Sequence, residues 1–238
     1  MDISSISKYY ILSPLTVEPD QLLLDPRNPR IVMDVQTNRT FTHNELASPD
    51  TQNYILSVIN KSAHHISDLI QNIRSSGFID KGDDIIVKRV PNTGKYLVIE
   101  GNRRTTAIKH LLSESDLKPI VRQTLTKLQV KVFVYKPNKE LTENVVIDIL
   151  LGTIHIKGRL GWGALEKAYY IYNSYLREMQ KYTNQAEFVY IAKCSFEVAT
   201  FFNLTNKGVR KELKVYRVYE QLKGNGYDVL PHHFSLIE

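Results

Sequence analysis

One cysteine, Cys194, is present in 238 residues, so the chain can form no internal disulfide and no multi-thiolate metal centre. It has no apolar run of the roughly eighteen residues that a membrane-spanning helix requires, and its amino terminus lacks the charged-then-apolar order of a secretion signal. The location expected from these absences is cytoplasmic. Low-complexity tracts and internal repeats are missing too, which excludes a solenoid. No spacing of His with acidic residues matches a transition-metal motif, so neither a zinc enzyme nor a protein-built metal site is expected. A strong charge of one sign is also lacking: 31 Lys and Arg against 25 Asp and Glu leave +6, which favours an anionic partner only mildly.

What is present describes an ordinary globular chain, 42% hydrophobic and 24% charged, long enough for one large domain or two smaller ones with cores of their own. "LLLDPRNPR" closes a short apolar stretch with a double proline turn, because Pro26 and Pro29 each bias the preceding residue away from helix. "TQNYILSVIN" and "HISDLIQNIRSSG" then carry apolar residues at helical intervals. In the second, Ile66, Leu69, Ile70 and Ile73 share a stripe and Gly77 is the stop. "DIIVKRV" and "KYLVIE" read as strands joined by a Pro-Asn-Thr-Gly turn, and "LQVKVFVY" as a further strand. Beyond residue 140 strand signals end. "LTENVVIDILLGTIHI" and "GALEKAYYIYNSYLREMQ" read as helices, the second with Leu165, Ala168, Tyr172, Tyr175 and Met179 as its buried face. The expected fold is α+β, with a mixed α/β part over residues 1–140 and an all-helical part over 141–238. The ending "HHFSLIE" offers no clear cap, as in a chain that continues into a further domain.

The stretch "VIEGNRRTTAIKHLL" at 98–112 asks for the most explanation. A strand ending at Glu100 and a helix starting near Asn102 would leave the first-turn N–H groups pointing outward, where Gly101 lets a ligand approach the backbone. Such a helix start attracts anions. Arg103 and Arg104 would add charge-assisted bonds to phosphate oxygens, and Thr105 and Thr106 hydroxyl donors. Glu100 reads equally as a solvated strand end and as an acid–base or metal carboxylate. The reading also expects Arg104→Ala to abolish triphosphate binding while leaving the fold intact.

"EGNRRTTAIK" after a strand resembles the G-E-R-R-x-R-A box of the ParB/sulfiredoxin superfamily, and "DPRNPR" at 25–30 resembles the N-P-x-x-P-R stretch that opens its domain. "ISDLIQNIRSSGFI" before "IIVKR" is similar to the segment between those boxes, whose final glycine contacts the nucleotide. "HIKGRLGWGALEKA", 155–168, can be laid without gaps on the E-N-x-x-R segment and the helix after it. The resemblance spans roughly residues 20 to 175. It implies a ParB/sulfiredoxin-like mixed α/β domain that binds a nucleoside triphosphate, CTP or ATP, together with Mg2+. Gly77, Gly101, Asn102, Arg103, Arg104, Thr105, Thr106, His155 and Arg159 would line the nucleotide. The chain departs from the pattern at Asn102, where the box has Glu, at Thr106, where it has Arg, and at His155 and Ile156, where the third box has Glu and Asn. His155, in a glycine-rich segment suited to wrapping a ligand, joins Glu100 as a candidate catalytic residue. Trp162 is expected to anchor that segment to the core.

"EVATFFNLTNKGVRKELKVYRVYEQL" carries the last signal: a helix ending near Phe202, a short turn at Asn203 and a second helix from Asn206, the spacing of a helix-turn-helix over about 196–222. Lys207, Arg210, Lys211 and Lys214 would face outward to DNA phosphates, and Val209, Leu213 and Tyr216 inward. The resemblance implies a nucleotide-gated, DNA-binding clamp or switch that acts as a homodimer on double-stranded DNA. A nuclease or triphosphate-dependent phosphotransferase on the same scaffold, in plasmid or phage defence, is the alternative, and an interaction module with a vestigial cradle is the third reading.

Overall fold

Alternating apolar residues between Pro and Gly punctuation make strands wherever one face can be covered. The computed structural model describes residues 3–28, 41–60, 66–76, 84–138, 140–156, 162–185, 187–229 and 234. It contains a sheet of β1 (Tyr10–Val17), β2 (Leu22–Leu24), β3 (Ile86–Arg89), β4 (Tyr96–Glu100) and β5 (Leu128–Tyr135), in the order β1-β5-β3-β4-β2. β1 runs antiparallel to β5 from Tyr10↔Tyr135 to Val17↔Leu128, and β3 runs antiparallel to β4. The β3–β5 and β2–β4 pairs are parallel.

Three of these strands lie where the sequence places them, and β1 and β2 do not appear in that reading. Pro14 stands inside β1 and argues against a strand, yet β1 is at the sheet edge, where a missing N–H can be spared. β2 is three buried leucines, too short to display a period.

α4 (Asn102–Ser113) packs on one face of the sheet with α2 (Pro49–Ile59), α3 (Ile66–Ser76) and α5 (Pro119–Leu125). Leu22, Leu24, Val87 and Val98 meet Ile55, Ile59, Ile108 and Leu111 there. Each such buried side chain contributes about 1.5–3 kcal/mol against leaving it in water. Because side chains alternate along a strand, Leu23 and Leu97 emerge on the opposite face, against Val90 and Leu46 of α1 (His43–Ala47).

By contact the chain divides into two compact units, Tyr10–Lys136, and Met1–Tyr9 with Pro137–Glu238. In the second, the 3-10 turn Ile3–Tyr9 and α6 (Glu143–Ile156), α7 (Ala164–Met179), α8 (Ala192–Phe202) and α9 (Asn206–Gly224) are the described elements. The fold is α+β. On α7 the buried face carries Tyr170 and Ile171 besides Leu165, Ala168, Tyr175 and Met179, whereas Tyr172, expected inside, is half-buried and stacked on Phe188. Gly152 does not interrupt α6, because its neighbours Ile149, Leu150 and Leu151 are buried and outweigh the ~1 kcal/mol cost of a helical glycine.

α8 ends at Phe202 and α9 starts at Asn206. Asn203 turns the chain in the left-handed conformation (φ 49°, ψ 48°), and the Leu204 amide closes the turn on the Ala199 carbonyl at 2.8 Å. Thr205 caps α9 by accepting from the Gly208 amide, and the Ser195 hydroxyl ties the helices together by donating to Asn206 Oδ1 at 2.6 Å. Among the described residues no helix is long and apolar enough to cross a membrane.

Candidate functional site

β4 runs straight into α4 through one residue. Gly101 has φ +95°, and a Cβ on it would lie 3.1 Å from Ile85 Cγ1 and 3.3 Å from Ile85 Cα. Positive φ and close approach together demand glycine. Having no side chain, Gly101 cannot cap the helix, so the first turn of a twelve-residue helix keeps its positive end without a side-chain acceptor from that position.

Four residues beyond Gly101 separate into distinct roles. Asn102 is 4% exposed; its Oδ1 accepts from the Asp25 amide at 2.9 Å and its amide nitrogen donates to the Val98 carbonyl at 2.9 Å. Both ends of Asn102 are thus committed to joining the end of β2 to β4. Thr105 and Thr106 are fully buried, and their hydroxyls have no hydrogen-bond partner among the described residues. They sit on the packed face of α4 with Ala107, Ile108 and Leu111. Arg103 is half-buried.

Arg104 is held inward. Its guanidinium donates to Glu100 Oε1 at 3.3 Å and to the Asp84 carbonyl at 3.0 Å, and the side chains of Arg104 and Glu100 are 13% and 11% exposed. Glu100 is therefore not a solvated strand end. Its carboxylate is the partner of the cation expected to hold phosphate. Farther along α4, burial pulls the Lys109 amine below the ordinary lysine value, with Asp20 opposing the shift. Pro26 and Arg27 of "DPRNPR" line a different hollow of about 220 Å³, with Phe41, His43, Leu46 and Lys88.

No family model matches the chain, and no curated protein matches it. Solved structures do. One of them is the C-terminally truncated chromosome-partitioning protein ParB from Caulobacter crescentus complexed with CTP-gamma-S, similar at 19% identity over 94% of this chain and 92% of that one, with a TM-score of 0.32. So loose a superposition assigns no role to any residue here, and the site is read from its own geometry.

Gly77 and Arg159 lie outside the described residues. His155, expected in a glycine-rich segment that wraps a ligand, is the penultimate residue of α6. It is 9% exposed and stacks on Trp162, with ring centroids 4.8 Å apart and planes at 20°. Trp162 in turn meets Tyr170 edge-on at 4.3 Å. Trp162 is thus an anchor, as expected, and His155 shares its packing. Among the described residues no group of three or more His, Cys, Asp or Glu could hold a metal ion.

On α9, Lys207, Arg210, Lys211 and Lys214 are exposed, while Val209, Leu213 and Tyr216 are buried. The stripe continues one turn further, to exposed Arg217. The i, i+3, i+4 spacing from Lys214 was the signal that would have found it. Asp84, whose carbonyl anchors Arg104, had no sequence signal, since its part is played by backbone.

Proposed function

We propose that the chain is a ParB-like, nucleotide-dependent DNA-binding protein. The sheet unit would take the phosphates of a nucleoside triphosphate, CTP or ATP, at the start of α4, and the basic face of α9 would take double-stranded DNA, with a homodimer as the working form. The observation that carries this reading is Gly101. A left-handed glycine pressed against Ile85 delivers a strand into a helix whose first turn holds two adjacent arginines. The dipole disfavours cations at that end, so an anion is what makes the arrangement favourable. The resemblance of "EGNRRTTAIK" to the Arg-rich box of the superfamily supports it.

The pairing of Arg104 supplies a mechanism for a switch. An arriving phosphate oxygen competes with Glu100 and the Asp84 carbonyl for one guanidinium. Each charge-assisted bond is worth about 1.5–3 kcal/mol, so the exchange is close to balanced and the rest of the ligand decides it. When Arg104 turns to phosphate, Glu100 loses this cation and the stretch before β3 loses one of its ties, those to Lys131 remaining. Differential affinity of this kind is what lets a ligand shift a conformational equilibrium.

Glu100 also favours a second reading. Freed from Arg104, its carboxylate would lie beside the bound phosphates, where a nuclease or phosphotransferase needs a base.

A thermal-shift panel of common nucleoside triphosphates, with and without Mg2+ and duplex DNA, tests both. The switch predicts that a triphosphate stabilises the protein and that duplex changes its affinity by the same factor as the triphosphate changes DNA affinity. Nucleotide binding indifferent to saturating duplex, with turnover, would select the enzyme instead. No stabilisation by any triphosphate would end both readings.

A further inference from the structure

The cations of α9 are not equivalent, and the difference lies in a strap of chain before α8. Residues 187–191 are pinned by Tyr175, whose hydroxyl donates to the Val189 carbonyl at 2.8 Å and accepts from the Ile191 amide at 2.5 Å. The strap is further fixed by ring packing: Phe188 stacks on Tyr172 at 5.8 Å and 8°, and on Tyr175 at 5.1 Å, and Tyr190 stacks on Tyr175 at 6.4 Å and 8°. Two rings of this ladder carry arginines of α9. Arg217 lies 4.3 Å from the Phe188 centroid and Arg210 lies 5.6 Å from the Tyr190 centroid. Tyr190 is 46% exposed, so its ring stands at the surface beside the basic stripe.

We infer that the strap 187–191 belongs to the nucleic-acid face, and that Tyr190 and Phe188 are positioning residues which hold Arg210 and Arg217 ready for duplex DNA. The inference rests on the DNA-binding reading above. A guanidinium stacked on a ring has one plane covered and its N–H edges left outward, the edges that make bidentate bonds to a phosphate or to guanine. Lys207, Lys211 and Lys214 carry compact ammonium charges on flexible stems. They act as point charges that hold the backbone of the duplex. Seven residues separate the two arginines, about 10 Å along a helix, so both address one groove from the same side of α9.

Pre-ordering has a measurable signature. Loss of the Tyr190 ring leaves the charge of Arg210 in place, so the salt slope of binding stays while affinity falls by about three- to tenfold through the lost stacking and the added ordering of a free side chain. Loss of Arg210 itself lowers the slope by about one.

The experiment measures binding of the full chain to a mixed-sequence duplex by fluorescence anisotropy across a salt series, for wild type, Tyr190→Leu, Tyr190→Phe, Arg210→Gln and the Tyr190→Leu/Arg210→Gln pair. Expected are reduced affinity at unchanged slope for Tyr190→Leu, retention for Tyr190→Phe, and a double variant no weaker than Arg210→Gln. Wild-type affinity for Tyr190→Leu overturns the inference, as does an equal loss with and without Arg210. A loss confined to a single-stranded probe overturns it too, since Tyr190 would then be a base-stacking platform. If wild type itself fails to bind duplex at low salt, the DNA-binding reading falls first, and the two failures are told apart.

Discussion

At Arg104 two demands meet in one guanidinium. It pairs with Glu100, and in the proposed function it is also the cation that meets a phosphate at the start of α4. Removing one partner of a nearly buried pair leaves a charge uncompensated, at a cost of about 3 kcal/mol. Arg104→Ala should therefore fold but with a lower urea midpoint as well as lower nucleotide affinity, and Glu100→Gln/Arg104→Gln should recover most of the stability without recovering binding. An Arg104→Ala protein as stable as wild type would show that the pair contributes nothing. Asn102 makes a separate prediction. Asn102→Ala orphans the Asp25 amide and the Val98 carbonyl, so stability should fall by about 2 kcal/mol in the same assay, whether or not nucleotide is present.

Between α8 and α9 the decisive feature is the left-handed turn. Asn tolerates this conformation because its short polar side chain bonds locally, and residues with a Cβ otherwise pay roughly 1–2 kcal/mol there. Asn203→Ala should lower stability by about 1 kcal/mol and Asn203→Gly should not, a contrast that differential scanning calorimetry reads directly. On α9 itself, replacing Arg210 and Lys211 together with Gln should reduce the slope of log affinity against log salt by about two for duplex DNA, one unit per phosphate contact. An unchanged slope would make the basic face of α9 a solvated surface only.

In the helical unit, the buried acid Glu178 and the exposed Glu220 on α9 bear on the response to pH. Burial pushes the Glu178 carboxyl above its ordinary 4.5, with Lys181 opposing the shift and Glu197 adding to it, and burial likewise raises Glu220. A raised carboxyl means that the folded state holds its proton more tightly than the unfolded chain. The associated stability is then fully present below the unfolded value and is lost as pH rises through the folded one. Stability should therefore decline as pH climbs from about 4.5, and Glu178→Gln should flatten that decline; denaturant titrations at several pH values would check it. If the wild type gained stability over that window, the ion pair of Glu178 with Lys181 at 2.6 Å would outweigh the burial.

Much of the molecule was legible because its signals are local. The stripe of α3, the strands β3, β4 and β5, the strand-to-helix step at Gly101 and the turn at Asn203 each depend on residues within a few positions, and backbone sterics fix their meaning wherever they occur. Even the Glu100–Arg104 pair is an i, i+4 spacing that a close reading can find. What the chain alone could not declare depends on partners far away in sequence. Asn102 reads as a ligand contact until Asp25, 77 residues earlier, arrives to use its oxygen. Thr105 and Thr106 read as exposed donors, whereas the fold buries both. Pro14 forbids a strand except at an edge, and edges exist only once a sheet is assembled. Sequence determined which elements form and where charge collects; tertiary structure decided which polar groups remain available to a ligand, because burial and long-range hydrogen bonds consume donors and acceptors that local pattern leaves open.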